Sequence, residues 1–178
     1  MRNMSHAWDN LVRVTRILKR ARIPYVLDGG TLLGMYRDGW FFPHDQDIDL
    51  TLLDQHAKLA RVRKNATKQG FRVWRHQPVG SCGCHKLQLS RHGIMVDIVS
   101  KHREGDDAVW ALITDAQRMK RMPARYYTEL GSLVVRDVAF SVPADVEGYL
   151  AARFGSDWRT PKPDWVPLRD DRAYEEVP

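Results

Sequence analysis

The chain has 178 residues, 43% of them hydrophobic and 28% charged, with a formal net charge of +6. That length can bury one good core without disulfides or structural metals, and the composition excludes a disordered chain. No run of roughly eighteen apolar residues exists, which excludes an ordinary membrane-spanning helix.

The chain opens with apolar residues at three- and four-residue steps: Met4, Trp8, Leu11, Val14 and Leu18. This spacing predicts an amphipathic helix over about residues 1–21, ending before Pro24. It has no signal-peptide core, and the expectation is a cytoplasmic protein. Tyr25-Val26-Leu27 then reads as a strand near residues 24–28, broken by Gly29-Gly30, and residues 31–37 read as a short helix. Strand, glycine turn and helix together make a place where the backbone can approach a ligand, with first-turn N–H groups facing phosphate oxygens. Gly29, Gly30 and Thr31 are the candidates for that contact, and Arg37 could add a charge-assisted fork to the same anion.

An acidic strand follows at about residues 46–53. Side chains alternate along a strand, so Asp45, Asp47 and Asp49 point to one side while Ile48 and Leu50 enter the core. Three carboxylates so close repel one another, an arrangement that makes sense around a hard divalent cation. Magnesium is the natural choice, with manganese as the alternative. Tyr36, Trp40 and Phe41 beside the motif could stack on a base or surround a quaternary ammonium, although aromatics at such positions usually belong to the core.

Asp54 is placed to cap a helix over about 55–69, with Leu59, Val62 and Ala66 inward and Gly70 at its end. Phe71 to Trp74 reads as a strand. Cys82 and Cys84 are too close for an easy disulfide and are read as reduced thiols at a tight turn. A zinc site shared with His76, His85 and His92 fits no strong spacing. Lys86 to Ser90 and Ile94 to Ser100 form a hairpin around Arg91-His92-Gly93. Within the second of these strands stands Asp97, a lone carboxylate among apolar residues, where a charge is costly unless paired or metal-bound. No neighbour in sequence neutralises it, so it is a candidate third metal ligand or base, with a buried salt bridge as the alternative.

Residues Asp107 to Met122 read as a helix with Val109, Leu112, Ile113 and Met119 apolar. Leu133 to Val135 and Val138 to Phe140 make a second hairpin around Arg136-Asp137, and a helix near 145–154 ends at Gly155. The tail, 156–178, carries Trp158 and Trp165 among prolines and reads as extended and packed by its tryptophans. No repeat or linker interrupts the chain, so residues 1–178 form one predicted domain.

The positive balance favours acidic partners. The basic residues are scattered, however: Arg61, Arg63, Lys64 and Lys68 share one predicted helix, and Arg118, Lys120, Arg121 and Arg125 form a second loose group. Such runs are usually solvated faces, so specific nucleic-acid binding is not expected.

Gly30-Thr31-Leu32-Leu33-Gly34, Arg37, Gly39, Pro43 and Asp45-Gln46-Asp47-Ile48-Asp49 together resemble the signature of the LicD family, the phosphocholine transferases to which fukutin-type ribitol-phosphate transferases are related. Val96-Asp97-Ile98 and the stretch from Val142-Pro143-Ala144-Asp145 to Asp157-Trp158 extend the likeness, which covers roughly residues 22–165. Two positions depart from it: His44 stands where the family often has tryptophan, and Gln46 where it often has a further acid. The resemblance implies an α/β (α+β) nucleotidyltransferase-like fold, a mixed β-sheet flanked by helices. It implies Asp47, Asp49 and Asp97 as magnesium ligands and catalytic residues, with Asp97 also a candidate base. Gly29, Gly30, Thr31, Arg37, His44 and Asp45 become the substrate-binding set. The reaction it implies moves a phospho-substituent from a CDP-linked donor to a hydroxyl, such as that of a carbohydrate, with at most peripheral membrane contact. Transfer of a nucleoside monophosphate from an NTP, or a non-catalytic nucleotide- or nucleic-acid-binding module, are the other readings of the same residues.

Overall fold

In the computed structural model the described residues are 4–43, 45, 47–79, 82–111 and 119–173. Helix α1 (Met4–Arg20) forms on the expected periodicity and buries Ala7, Leu11, Val14 and Leu18. Strand β1 (Val26–Leu27) is short and buried, and helix α2 (Gly29–Leu33) follows it directly. One π-helical turn (Gly34–Asp38) extends α2.

The main sheet is mixed. β1 pairs antiparallel with β2 (Asp47–Leu53), and β2 pairs parallel with β5 (Ile94–Glu104). On the far side of β5 lie β4 (Cys84–Arg91) and then β3 (Arg72–Val79), both antiparallel, so the spatial order is β1-β2-β5-β4-β3. The β4–β5 hairpin turns through His92 and Gly93, both at positive φ, as its two-residue loop requires.

The two faces of this sheet differ. Ile48 and Leu50 on β2, Val96 and Ile98 on β5, and Leu87 and Leu89 on β4 share one face and are fully buried. Helix α1 packs there against β5, and helix α3 (Leu59–Thr67) packs against β3 and β4. Truncating one of these residues, such as Leu50→Ala, would cost about 2–5 kcal/mol, the usual range for a buried leucine. The opposite face carries Asp47, Asp49, Met95, Asp97, Lys86 and Gln88, and most of it is only half-buried.

Four expectations are corrected. Residues 107–111 and 119–123 are strands β6 (Asp107–Ala111) and β7 (Met119–Pro123), paired with each other and, through β6, with the end of β5. Ala108, Val109 and Trp110 are all buried, and so short an apolar run carries no period that separates strand from helix. Leu112 and Ile113 lie outside the described residues.

Asp54 is not a helix cap. It sits at φ 50°, accepts a hydrogen bond from the Arg103 amide at 3.0 Å and pairs with His102. Cys82 and Cys84 are not reduced thiols but a disulfide: the turn at Gly83, with φ 71°, brings their Cα atoms to 5.3 Å. The nearby histidines do not converge on a metal, since His85 stacks on His56 and His92 on His6. The C-terminal segment is not wholly extended: it forms a short helix, Pro167–Asp170, although Trp158 is buried and Trp165 packs on Phe154 as expected.

Helix α4 (Arg125–Thr128) leads into the hairpin of β8 (Leu130–Val135) and β9 (Val138–Pro143), followed by α5 (Val146–Phe154). Asp145 caps α5 by accepting from the Gly148 amide. The 167–170 helix completes the set as α6. Among the described residues no helix is long and apolar enough to cross a membrane.

Candidate active site

The parallel register places Asp49 directly opposite Asp97, with Asp47 two residues earlier on the same face of β2. Asp47, Asp49 and Asp97 each offer a carboxylate oxygen, and these atoms lie within 4.8 Å of one another. The electrostatics follow from that crowding. Burial, then the facing charges of Asp97 and Asp45, push the Asp47 carboxyl up to about 6. Burial, Asp47, Asp28 and Asp97 push Asp49 well above the usual carboxylate range, against the opposing pull of Arg153. An all-oxygen donor set of three crowded carboxylates fits a hard divalent cation such as magnesium.

Asp97 has close partners that the sequence did not reveal. Lys86 on β4 makes an ion pair with it, and the Gln88 side-chain amide donates to both its oxygens, at 3.0 and 3.2 Å. The lone carboxylate is therefore held in place from the neighbouring strand. Lys86 and Gln88 occupy alternate positions of β4, and Gln88 is in register with Asp97. Only knowledge of that register could have exposed them.

The glycine turn is built against β2. The Asp28 amide donates to the Asp49 carbonyl at 3.1 Å, and the Asp49 amide donates to Thr31 Oγ1 at 2.9 Å. Thr31 is buried, and its side-chain oxygen ties the turn to the acidic strand. The Gly29 amide is likewise engaged, by the Asp28 carboxylate at 2.9 Å and by the Tyr149 hydroxyl. The first-turn amides left for an anion are those of Gly30 and Thr31.

Gly29 has φ 53°, and a Cβ there would sit 2.7 Å from Asp49 Oδ2, so glycine is required both for conformation and for clearance. A Cβ on Gly30 would come within 3.2 Å of Asp45 Oδ2, which places Asp45 against the turn and outside the three-carboxylate cluster. Arg37 forks onto Asp38 at 2.7 and 3.1 Å and lies over the Phe42 ring. To meet an anion it must exchange that partner. His44 falls outside the described residues. Trp40 packs on Trp8 and Tyr36 on Trp158, while Phe41 is buried, so these aromatics serve the packing.

Beneath the turn lies a buried network. Asp28 is held by Lys101 at 2.9 Å, by Arg153 at 2.7 Å, and by the hydroxyls of Thr51 and Tyr149. These partners overcome burial and keep its carboxyl far below the usual range. Lys101 also donates to the Tyr127 hydroxyl and lies 3.5 Å above the Trp110 ring; burial pushes it down to about 8, so it remains charged at neutral pH. Arg153 reaches onward to Asp171, which also holds Lys120. The network thus runs from the C-terminal segment to the cap of the glycine turn. Sequence reasoning gave Asp28 no role and missed Lys101 and Arg153, because their partners lie far away along the chain.

The chain is similar to known proteins in sequence and in fold. Residues 22–145 match the family described as LicD/FKTN/FKRP, nucleotidyltransferase domain. The chain is 27% identical over 164 residues to the ribitol-5-phosphate transferase FKTN of Mus musculus, and 26% identical over 171 residues to that of Macaca fascicularis. Each match takes in 89% of this chain but only 34% of the relative, so the chain spans about a third of the length of these curated relatives. Among solved structures, the antibiotic-resistance factor ANT(2'')-Ia matches with a TM-score of 0.55 at 14% identity, over 92% of this chain and 78% of that one. A candidate nucleotidyltransferase from Thermotoga maritima matches with a TM-score of 0.54 at 16% identity, over 83% of each chain. These likenesses show the nucleotidyltransferase fold.

Proposed function

The chain belongs to the LicD/FKTN/FKRP family of nucleotidyltransferase domains, and from that premise we propose that it transfers a phospho-substituent from a CDP-activated donor to an acceptor hydroxyl. Alditol phosphate, as in the name of its FKTN relatives, is the favoured cargo, phosphocholine is the other, and a carbohydrate is the favoured acceptor. The observation that carries the reading is the in-register placing of Asp49 against Asp97, with Asp47 completing a three-carboxylate cluster beside a glycine turn.

Asp47, Asp49 and Asp97 would hold magnesium, which supplies charge neutralisation at the donor's diphosphate. The rest is positioning by the chain's own residues. Gly29 and Gly30 leave room for the diphosphate against β2, and the amides of Gly30 and Thr31 are the donors nearest to it. Arg37 would leave Asp38 for a phosphate oxygen. The acceptor oxygen attacks the phosphorus that carries the substituent, and the anhydride bond to the cytidine-bearing phosphate breaks. CMP leaves with that bridging oxygen, and the acceptor's proton passes to Asp97 or to water. Gln88 and Lys86 keep the Asp97 carboxylate aimed.

The test is to incubate the protein with CDP-ribitol, CDP-glycerol, CDP-choline or each NTP, with and without magnesium, and with Asp47→Asn as control. Magnesium-dependent CMP release from one CDP-linked donor, absent in the variant, supports the proposal and identifies the donor. Pyrophosphate release from an NTP would replace it with nucleotidyl transfer.

A further inference from the structure

The 42 residues from Gln55 to Val96 contain nine of the chain's 28 lysines and arginines and none of its 22 aspartates and glutamates. The rest of the chain is consequently net negative, and the whole positive excess resides in this one stretch. Most of it folds into α3, β3 and β4, at the end of the sheet farthest from β1, and it ends in the first residues of β5.

The fold brings six of these charges to the edge made by β3. On one face, α3 turns Leu59, Val62 and Ala66 inward and leaves Arg61, Arg63, Lys64 and Lys68 exposed. On the other, Arg72 pairs in register with Ser90, and Arg75 with Gln88. Between Val73 and Arg75 the ladder is irregular. Trp74, at the break, donates its indole N–H to Ser90 Oγ at 2.8 Å while 71% of its surface stays exposed. Val73 is also exposed. It shares a shallow groove of about 790 Å³ with Ala60, Arg61, Arg63, Lys64 and Lys68. Among the described residues, Arg61, Arg63, Lys64, Lys68, Arg72 and Arg75 have no ion-pair partner, whereas Arg13, Arg91, Arg121 and Arg153 all do.

We propose that this edge docks the domain onto an anionic lipid surface, with the six cations facing phosphate headgroups and Trp74 and Val73 entering the interface. Two features select this partner. Unpaired cations concentrated on one edge are attracted to a negative surface within a Debye length, and each adds to the attraction. The exposed apolar residues sit inside that ring of charge, and tryptophan, with one polar and one apolar side, settles at headgroup level. A single-stranded nucleic acid would call for several stacking aromatics, and Trp74 is the exposed one here. Docked by this edge, the face bearing Asp47, Asp49 and Asp97 stands upright on the bilayer and remains open.

The test is sedimentation of the full chain with vesicles of phosphatidylcholine alone or with about 30% phosphatidylglycerol, at low and high salt, beside a single-stranded oligonucleotide in the same buffers. The expected result is at least about tenfold tighter binding to the anionic vesicles, weakened by salt and by the triple substitution Arg61→Glu, Lys64→Glu, Lys68→Glu. On binding, tryptophan emission should shift to the blue, and the shift should vanish in Trp74→Phe, since Trp74 is the water-exposed indole. Both variants should keep the wild-type melting temperature and CMP release in solution, because these residues lie outside the carboxylate site. Equal binding to both vesicle types, a blue shift that survives Trp74→Phe, or salt-sensitive binding to the oligonucleotide without vesicle binding would each overturn the proposal. The vesicle-binding and emission readouts do not depend on the proposed function or on which donor the site uses.

Discussion

Asp47 and Asp49 show that function and stability oppose each other at single residues. Both carboxyls are raised by burial and mutual repulsion, so the metal-free protein carries an unfavourable charge cluster that a divalent cation would relieve. Asp49→Asn should therefore cut turnover by about a hundredfold to a thousandfold, the usual cost of losing one charge-stabilising group. The same substitution should stabilise the metal-free protein at neutral pH, since it removes a carboxyl whose ionisation burial and the facing carboxylates oppose. Urea unfolding in a chelator checks this, and a destabilised variant would count against a metal site. Lys86 makes the complementary case. It contributes a positive charge in contact with Asp97, so Lys86→Met should slow transfer while tightening magnesium binding by about tenfold, as expected when a neighbouring like charge is removed. A magnesium titration of activity would show both effects, whereas an unchanged half-saturating concentration would mean that Lys86 does not compete with the metal.

Elements carry the site because local chemistry places them, and where local chemistry was strong the sequence was legible. The α1 stripe, the alternation in β2 and the His92-Gly93 turn were all readable from spacing. The β6–β7 pair was not, because its apolar run is too short to have a period. Nor were the partners of Asp97 and Asp28, since strand register and distant contacts leave no local mark. The β8–β9 hairpin was read correctly, yet it is strained: Arg136 and Asp137 stand at φ 45° and 64°, a region L-residues enter at a cost. Arg136 is anchored over the Trp40 ring, whereas among the described residues Asp137 has no comparable contact. Asp137→Gly should accordingly stabilise the fold by about 1 kcal/mol, seen as a higher urea midpoint at unchanged slope. A lower midpoint would mean that the Asp137 carboxylate supports the turn.

For the whole molecule, two groups of carboxylates titrate in opposite senses, and together they set the pH of greatest stability. Asp28 and Asp171 are lowered in the folded state, despite burial, by Lys101, Arg153 and Lys120. Their stabilisation is present above their unfolded value near 3.8 and is lost as pH falls below it. Asp47 and Asp49 are raised, so their contribution is fully present below that value; that of Asp47 is lost as pH rises through about 6, and that of Asp49 as pH rises through its own raised value. The metal-free protein should then be most stable between these windows, near pH 4–5, and should weaken toward neutrality. Under the proposed function magnesium would bind the ionised carboxylates, so its stabilising shift in melting temperature should be small at pH 5, grow through pH 6 and be largest above pH 7. Asp28→Asn tests the other window. It leaves Lys101 and Arg153 buried without their shared counter-charge and should cost about 3–5 kcal/mol at pH 7, a penalty that shrinks in acid. Melting curves from pH 3 to pH 8, with magnesium and with chelator, separate the two groups. A magnesium shift independent of pH would remove Asp47 and Asp49 as its ligands, because the Asp47 carboxyl must lose its proton within this range to bind a cation.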